Sequence, residues 1–161
     1  MPNLTPVAKI FAQVHSPRGL RFPETVASLL ALGVTRYHVD YTSSLITTYS
    51  ASNATSQSKP VKTEQITFAG PTYNLDIDAD ADANANVAWD PTGVKTAIKR
   101  IQTGESSTYT DFSREIIAAG VVGYFAFLDG KRVVYYGPEG DVHVEWFPGA
   151  GPGPIVDKAE Q

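Results

Sequence analysis

Apolar residues recur along the chain first at helical and then at strand spacing. Val7, Ile10, Phe11 and Val14 fall at i, i+3, i+4 and i+7, which predicts a one-sided helix ending before Pro17-Arg18-Gly19. Phe22-Pro23-Glu24 reopens a helix with proline in its first turn, where the missing N–H has no partner to lose. Val26, Leu29 and Leu30 form its expected buried face, and Gly33 is placed to stop it because glycine takes the left-handed C′ conformation freely. Arg36–Tyr41 and Leu45–Tyr49 then read as a hairpin joined by Thr42-Ser43-Ser44, followed by a polar loop over Ala51–Lys59. Gln65–Phe68 and Thr72–Ile77 predict a second hairpin around Ala69-Gly70-Pro71. Asp90-Pro91 opens a helix with the stripe Val94, Ala97, Ile98 and Ile101, and the next helix presents Phe112, Ile116 and Ile117 up to Gly120. Gly123–Leu128, Asp129-Gly130 and Lys131–Tyr136 predict a hairpin with a type I′ turn, and Gly137-Pro138-Glu139-Gly140 turns the chain into a last strand, Asp141–Phe147.

The order helix, glycine, hairpin therefore occurs twice, over residues 22–53 and 109–140, at a constant offset of 87. Phe22 meets Tyr109, Gly33 meets Gly120, Tyr37 meets Tyr124 and Tyr49 meets Tyr136. The expected fold class is α+β, with two such units forming a mainly antiparallel sheet that carries helices on one face. Residues 1–148 are expected to form one domain and residues 149–161 a flexible Gly/Pro-rich tail.

Strand alternation sorts the side chains of the sheet into two faces. With Asp129-Gly130 as the turn, Phe125 pairs with Val134 and Tyr124 with Tyr135; with Gly137–Gly140 as the next, Val134 pairs with His143 and Arg132 with Glu145. The core face is then Tyr124, Ala126, Leu128, Val133, Tyr135, Val142, Val144 and Trp146. The opposite face holds Phe125, Phe127, Arg132, Val134, Tyr136, His143, Glu145 and Phe147, joined from the first unit by His38, Asp40, Leu45, Thr47 and Tyr49. Two His-x-acid pairs, His38 with Asp40 and His143 with Glu145, are thus expected on one face. The pairs are not equivalent, since His38 aligns with Phe125 and His143 lies on an added strand. Side chains two apart on a strand point the same way, as a metal site or a histidine base steadied by a carboxylate requires. An ordinary cross-strand ion pair between Arg132 and Glu145 is the favoured reading, so no metal is expected, and His38, Asp40, His143 and Glu145 are the ligand set of the alternative. Phe125, Phe127, Arg132, Tyr136 and Tyr49 are the remaining candidate binding residues. Tyr135, Tyr136, Trp146 and Phe147 are able to stack on bases or sugars, but packing is the preferred reading for them.

Composition narrows the classes further. The net charge of −4 over 161 residues argues against a general nucleic-acid binder, which needs a basic face. The absence of cysteine excludes disulfide and thiolate chemistry and leans towards a reducing compartment. Met1-Pro2-Asn3-Leu4 does not open a signal peptide and no apolar run approaches a membrane span, so a cytoplasmic chain without a membrane partner is expected. Asp76, Asp78, Asp80 and Asp82 suggest a calcium loop, but Ala81 stands where its glycine belongs and Val87 where its glutamate belongs, and a solvated acidic loop is expected instead. No phosphate-binding glycine loop or nucleophile elbow occurs, and no cofactor is expected.

The segments Ala97–Gly104, Tyr109–Phe112, Ala119-Gly120-Val121, and above all Tyr135-Tyr136-Gly137 with Gly140–Pro148, resemble the YbcV/YdfO-like family of small uncharacterised bacterial and prophage proteins, sometimes labelled phage envelope protein. Phe22-Pro23, Ala31–Val34 and Arg36–Asp40 also fit its N-terminal half, so the resemblance spans nearly the whole chain apart from the tail. It implies an α+β fold and no established activity, and its pattern includes His143, Glu145 and Tyr37–Asp40. The Asp/Ala run over residues 76–86 is longer than that pattern. The expected function is a non-enzymatic binding or protein-interaction domain, self-associating through the aromatic and charged sheet face with no small-molecule ligand specified. The alternative is a small metal-dependent or acid/base enzyme using the two His-x-acid pairs.

Overall fold

Proline and hydroxyl chemistry sets the first helix. Thr5 accepts from the Ala8 N–H and Pro6 occupies the first turn of α1 (Pro6–Val14), which buries Ile10, Phe11 and Val14 as their spacing predicts. The computed structural model describes residues 4–51, 61–73, 88–104 and 108–151. Over these the order is α1, α2 (Phe22–Ala31), β1 (Val34–Asp40), β2 (Leu45–Ala51), β3 (Val61–Thr67), α3 (Pro91–Thr103), α4 (Tyr109–Ala118), β4 (Gly123–Phe127), β5 (Arg132–Tyr136) and β6 (Val142–Trp146). All six strands form one antiparallel sheet in the order β3-β2-β1-β4-β5-β6, the α+β class read from the pattern. One core cluster joins helix residues such as Phe11, Leu29, Ile98 and Ile116 to Tyr37, Val39, Ile46, Tyr124, Ala126 and Tyr135 of the sheet, which places the helices on a single face.

The two helix–glycine–hairpin stretches share local geometry. Gly33 and Gly120 both leave their helices at positive φ, 87° and 94°, and Ser44 and Lys131 close their hairpins at φ 57° and 56°. The last pair corrects the predicted turn. A type I′ turn needs positive φ at Asp129 and Gly130, whereas Phe127 pairs with Arg132 across a four-residue loop whose left-handed residue is Lys131. The first strands of the two stretches lie side by side, and His38 faces Phe125, its partner at the 87-residue offset.

Two further expectations change. Leu30 is 41% exposed; Thr25 and Leu29 are the buried residues of α2, so its inward face is rotated from the predicted one. Gln65–Thr67 belongs to β3, which pairs with β2, while Thr72 and Tyr73 are not in a strand and residues 74–77 of the expected hairpin lie outside the described residues. The acidic run over residues 76–86 lies outside them too, as do residues 52–60 of the polar loop and 152–161 of the tail. The Ala150 N–H donates to the Phe147 carbonyl, and Gly151 lies against the Trp146 ring.

Candidate functional site

The turn before β6 decides which residues share a face. Gly137 donates to the Asp141 carbonyl and Gly140 takes φ 93°, making a three-residue loop with a bulged glycine where a tighter turn was expected. The register moves by one: Tyr135 faces His143, Val133 faces Glu145 and Arg132 faces Trp146. A slip of one residue exchanges the faces. His143 and Glu145 therefore lie on the helix-covered face, and Val142, Val144 and Trp146 on the open one, opposite to expectation. Phe147 also sits on the helix side, its ring 5.1 Å from Phe22.

The open face is ordered in three rows across the strands, by register. The first is Tyr49, Arg36, Phe127, Arg132 and Trp146; Arg36 lies 4.1 Å over the Tyr49 ring and Arg132 4.0 Å over Trp146. Arg132 is thus spent on an indole and not on the predicted ion pair with Glu145. The middle row is Thr47, His38, Phe125, Val134 and Val144, with Phe125 stacked on Phe127 at 5.7 Å. The third is Leu45, Asp40, Gly123, Tyr136 and Val142. Tyr136 crosses Gly123 so that its hydroxyl meets His38 Nε2 at 2.6 Å. Burial holds His38 below its ordinary range while Asp40 pulls the other way. The Asp40 carboxylate accepts from the Thr42 N–H at 2.8 Å.

Beneath the helices the sheet carries a tyrosine network. The Tyr41 hydroxyl meets Ser113 Oγ at 3.0 Å and the Tyr109 hydroxyl at 2.9 Å, and Tyr109 meets Tyr124 at 2.5 Å. Burial is the first cause that pushes Tyr41, Tyr109, Tyr124 and Tyr135 up, so all four are protonated phenols near neutral pH, able to donate hydrogen bonds but not to act as phenolate bases. Next to the network a cleft of about 910 Å³ opens between α1, the start of α2, α3 and α4, with Tyr37, Tyr124, Val133, Tyr135 and Glu145 among its sheet residues. His143 Nε2 lies 3.0 Å from Glu145 Oε1. Alternation places Tyr124 and Tyr135 inside, but the space beside them depends on how four helices pack, which no strand pattern encodes.

The two His-x-acid pairs do not converge, since His38 and Asp40 are on one side of the sheet and His143 and Glu145 on the other. Among the described residues no group of three metal-binding side chains is placed to hold an ion, and no helix is long and apolar enough to cross a membrane. The remaining histidine caps α1. His15 Nδ1 donates to the Phe11 carbonyl at 2.9 Å, its ring lies between Phe68 and Tyr109, and its buried Nε2 has no partner among the described residues. Burial lowers its pKa from 6.5. The unfolded chain then binds the proton more readily, so stability is complete above pH 6.5 and is lost as pH falls through that value towards the folded pKa. The urea midpoint is expected to drop between about pH 7.5 and about pH 5.5, and to drop less in His15→Phe. Equal drops in both proteins refute this assignment.

No protein-family model matches the chain, and no curated protein matches it.

Proposed function

We propose that the chain is a non-enzymatic, self-associating interaction domain of the cytoplasm, and that it is a member of the YbcV/YdfO-like family built from an internal repeat. The observation that carries this reading is the open sheet face, with apolar side chains between charges of opposite sign. Val142 and Val144 are 60% and 43% exposed. Two stacked arginines lie in the first row and Asp40 in the third, so a second copy turned by a two-fold axis sets the arginines of each against the aspartate of the other. A closed dimer needs such a self-complementary patch. Arginine on tyrosine and tryptophan, beside a phenylalanine pair, is also the composition of interface centres.

The full chain is expected to sediment as a dimer at about 100 μM, and Val144→Glu, which puts a charge in the middle row, to raise the dissociation constant at least about tenfold. Val144 is exposed, so circular dichroism is expected to be unchanged in the variant. A wild-type monomer at that concentration overturns the reading.

A further inference from the structure

The cleft on the other side of the sheet lies apart from this interface. We propose that it binds a small organic cation with an apolar body, its protonated amine held by Glu145. A volume of about 910 Å³ is in the usual range for small-molecule sites. Its floor is aromatic and almost fully desolvated, with Tyr37, Tyr124 and Tyr135 3%, 4% and 6% exposed. The Tyr135 hydroxyl stands outside the chain of bonds linking Tyr41, Tyr109 and Tyr124, and Tyr135 lines the cleft, where a phenol both donates and accepts.

Glu145 decides the sign of the ligand. Its side chain is one-third exposed, with Oε1 held by His143. Oε2 is left to accept, and a carboxylate offers nothing but acceptors. Aromatic faces add to the attraction for a cation. Arg18, Arg21 and Glu24 also line the cleft, but all three are exposed. Charges at the solvent boundary are screened within about 8–10 Å, so the partly desolvated Glu145 outweighs the arginines for a ligand seated on the floor.

Titration calorimetry with the full chain, using 2-phenylethylamine and its acidic counterpart 3-phenylpropionate, tests this. The amine is expected to bind and the acid to bind at least about tenfold more weakly; Glu145→Gln is expected to weaken the amine by about 10- to 100-fold and to abolish the preference. Tyr135→Phe, which removes only the hydroxyl, is expected to weaken the amine while leaving the fold intact. Val144→Glu on the opposite face is expected to leave amine binding unchanged, so the cleft and the interface fail independently. Equal or tighter binding of the acid, no binding of either probe at about 10 mM, or undiminished amine binding by Glu145→Gln overturns the proposal.

Discussion

Gly120→Ala is expected to destabilise the protein by about 3–4 kcal/mol, whereas the corresponding change at the end of the other helix, Gly33→Ala, is expected to cost less than about 1 kcal/mol. Both glycines hold a left-handed φ, which costs an L side chain about 1–2 kcal/mol. Replacing glycine also restricts the unfolded chain and returns about 0.4–1 kcal/mol. The surroundings separate the two sites. A Cβ at Gly33 meets only the Ala51 carbonyl oxygen, at 3.5 Å, an ordinary contact. At Gly120 it falls 2.6 Å from the Ala88 carbonyl oxygen and 2.8 Å from Trp89 Cα, both backbone, so the segment before α3 must move. That segment is tied by the Asp90 N–H donating to the Ala119 carbonyl, and the Trp89 ring covers Gly137. Overpacking of this kind adds about 1–3 kcal/mol. Against a total stability of about 5–15 kcal/mol, thermal melting is expected to fall by roughly 10 °C for Gly120→Ala and by a few degrees for Gly33→Ala. Equal melting points in the two variants sink the argument.

The same two glycines show what was legible in the sequence. Both are helix stops in the bare pattern, because an apolar stripe, a glycine and a β-rich run suffice to place a C′ residue. The contacts that make one far less replaceable come from residues more than thirty positions away, which local spacing does not report. The candidate site divides in the same manner. His38, Asp40, Phe125, Phe127, Arg132, Tyr136 and Tyr49 share a face as expected, since β1, β2, β4 and β5 follow from alternation and from pairing across the Leu128–Lys131 loop, whose turn is not type I′ but leaves that register intact. His143 and Glu145 were displaced by one bulged glycine: Gly140 at positive φ lengthens the loop by one residue and sends every side chain of β6 to the other face. The Gly-Pro-Glu-Gly spelling fits both turns, so the choice between them is tertiary. In the three-residue loop, Val142 and Val144 are exposed and Glu145 joins the cleft.

Gly123→Ala is the second large effect, with an expected loss of about 2–3 kcal/mol, and it reaches the open face directly. Gly123 stands between Asp40 and Tyr136 in the third row, and the missing side chain lets the phenol lie across β4. An added Cβ falls 2.5 Å from the Tyr136 hydroxyl oxygen and 2.6 Å from the Val39 carbonyl oxygen. The phenol is able to swing away at the expense of its bond to His38, but the carbonyl belongs to β1, so the central β1–β4 pairing must also adjust. Tyr136→Phe separates the two contributions, since it deletes the hydroxyl and leaves both backbones in place; a loss of about 1 kcal/mol is expected from it alone. The histidine supplies a second readout. His38 titrates below 6.5 because burial disfavours its charged form. With the ring displaced in Gly123→Ala, His38 gains solvent, and its pKa, followed by NMR, is expected to rise towards 6.5. The pKa is expected to rise less in Tyr136→Phe, where the ring still covers the imidazole at 5.8 Å. A Gly123→Ala protein with unchanged stability and an unchanged His38 titration would show that Tyr136 does not depend on the glycine for its place, and the open face would then owe its shape to Phe125 and the strand register alone.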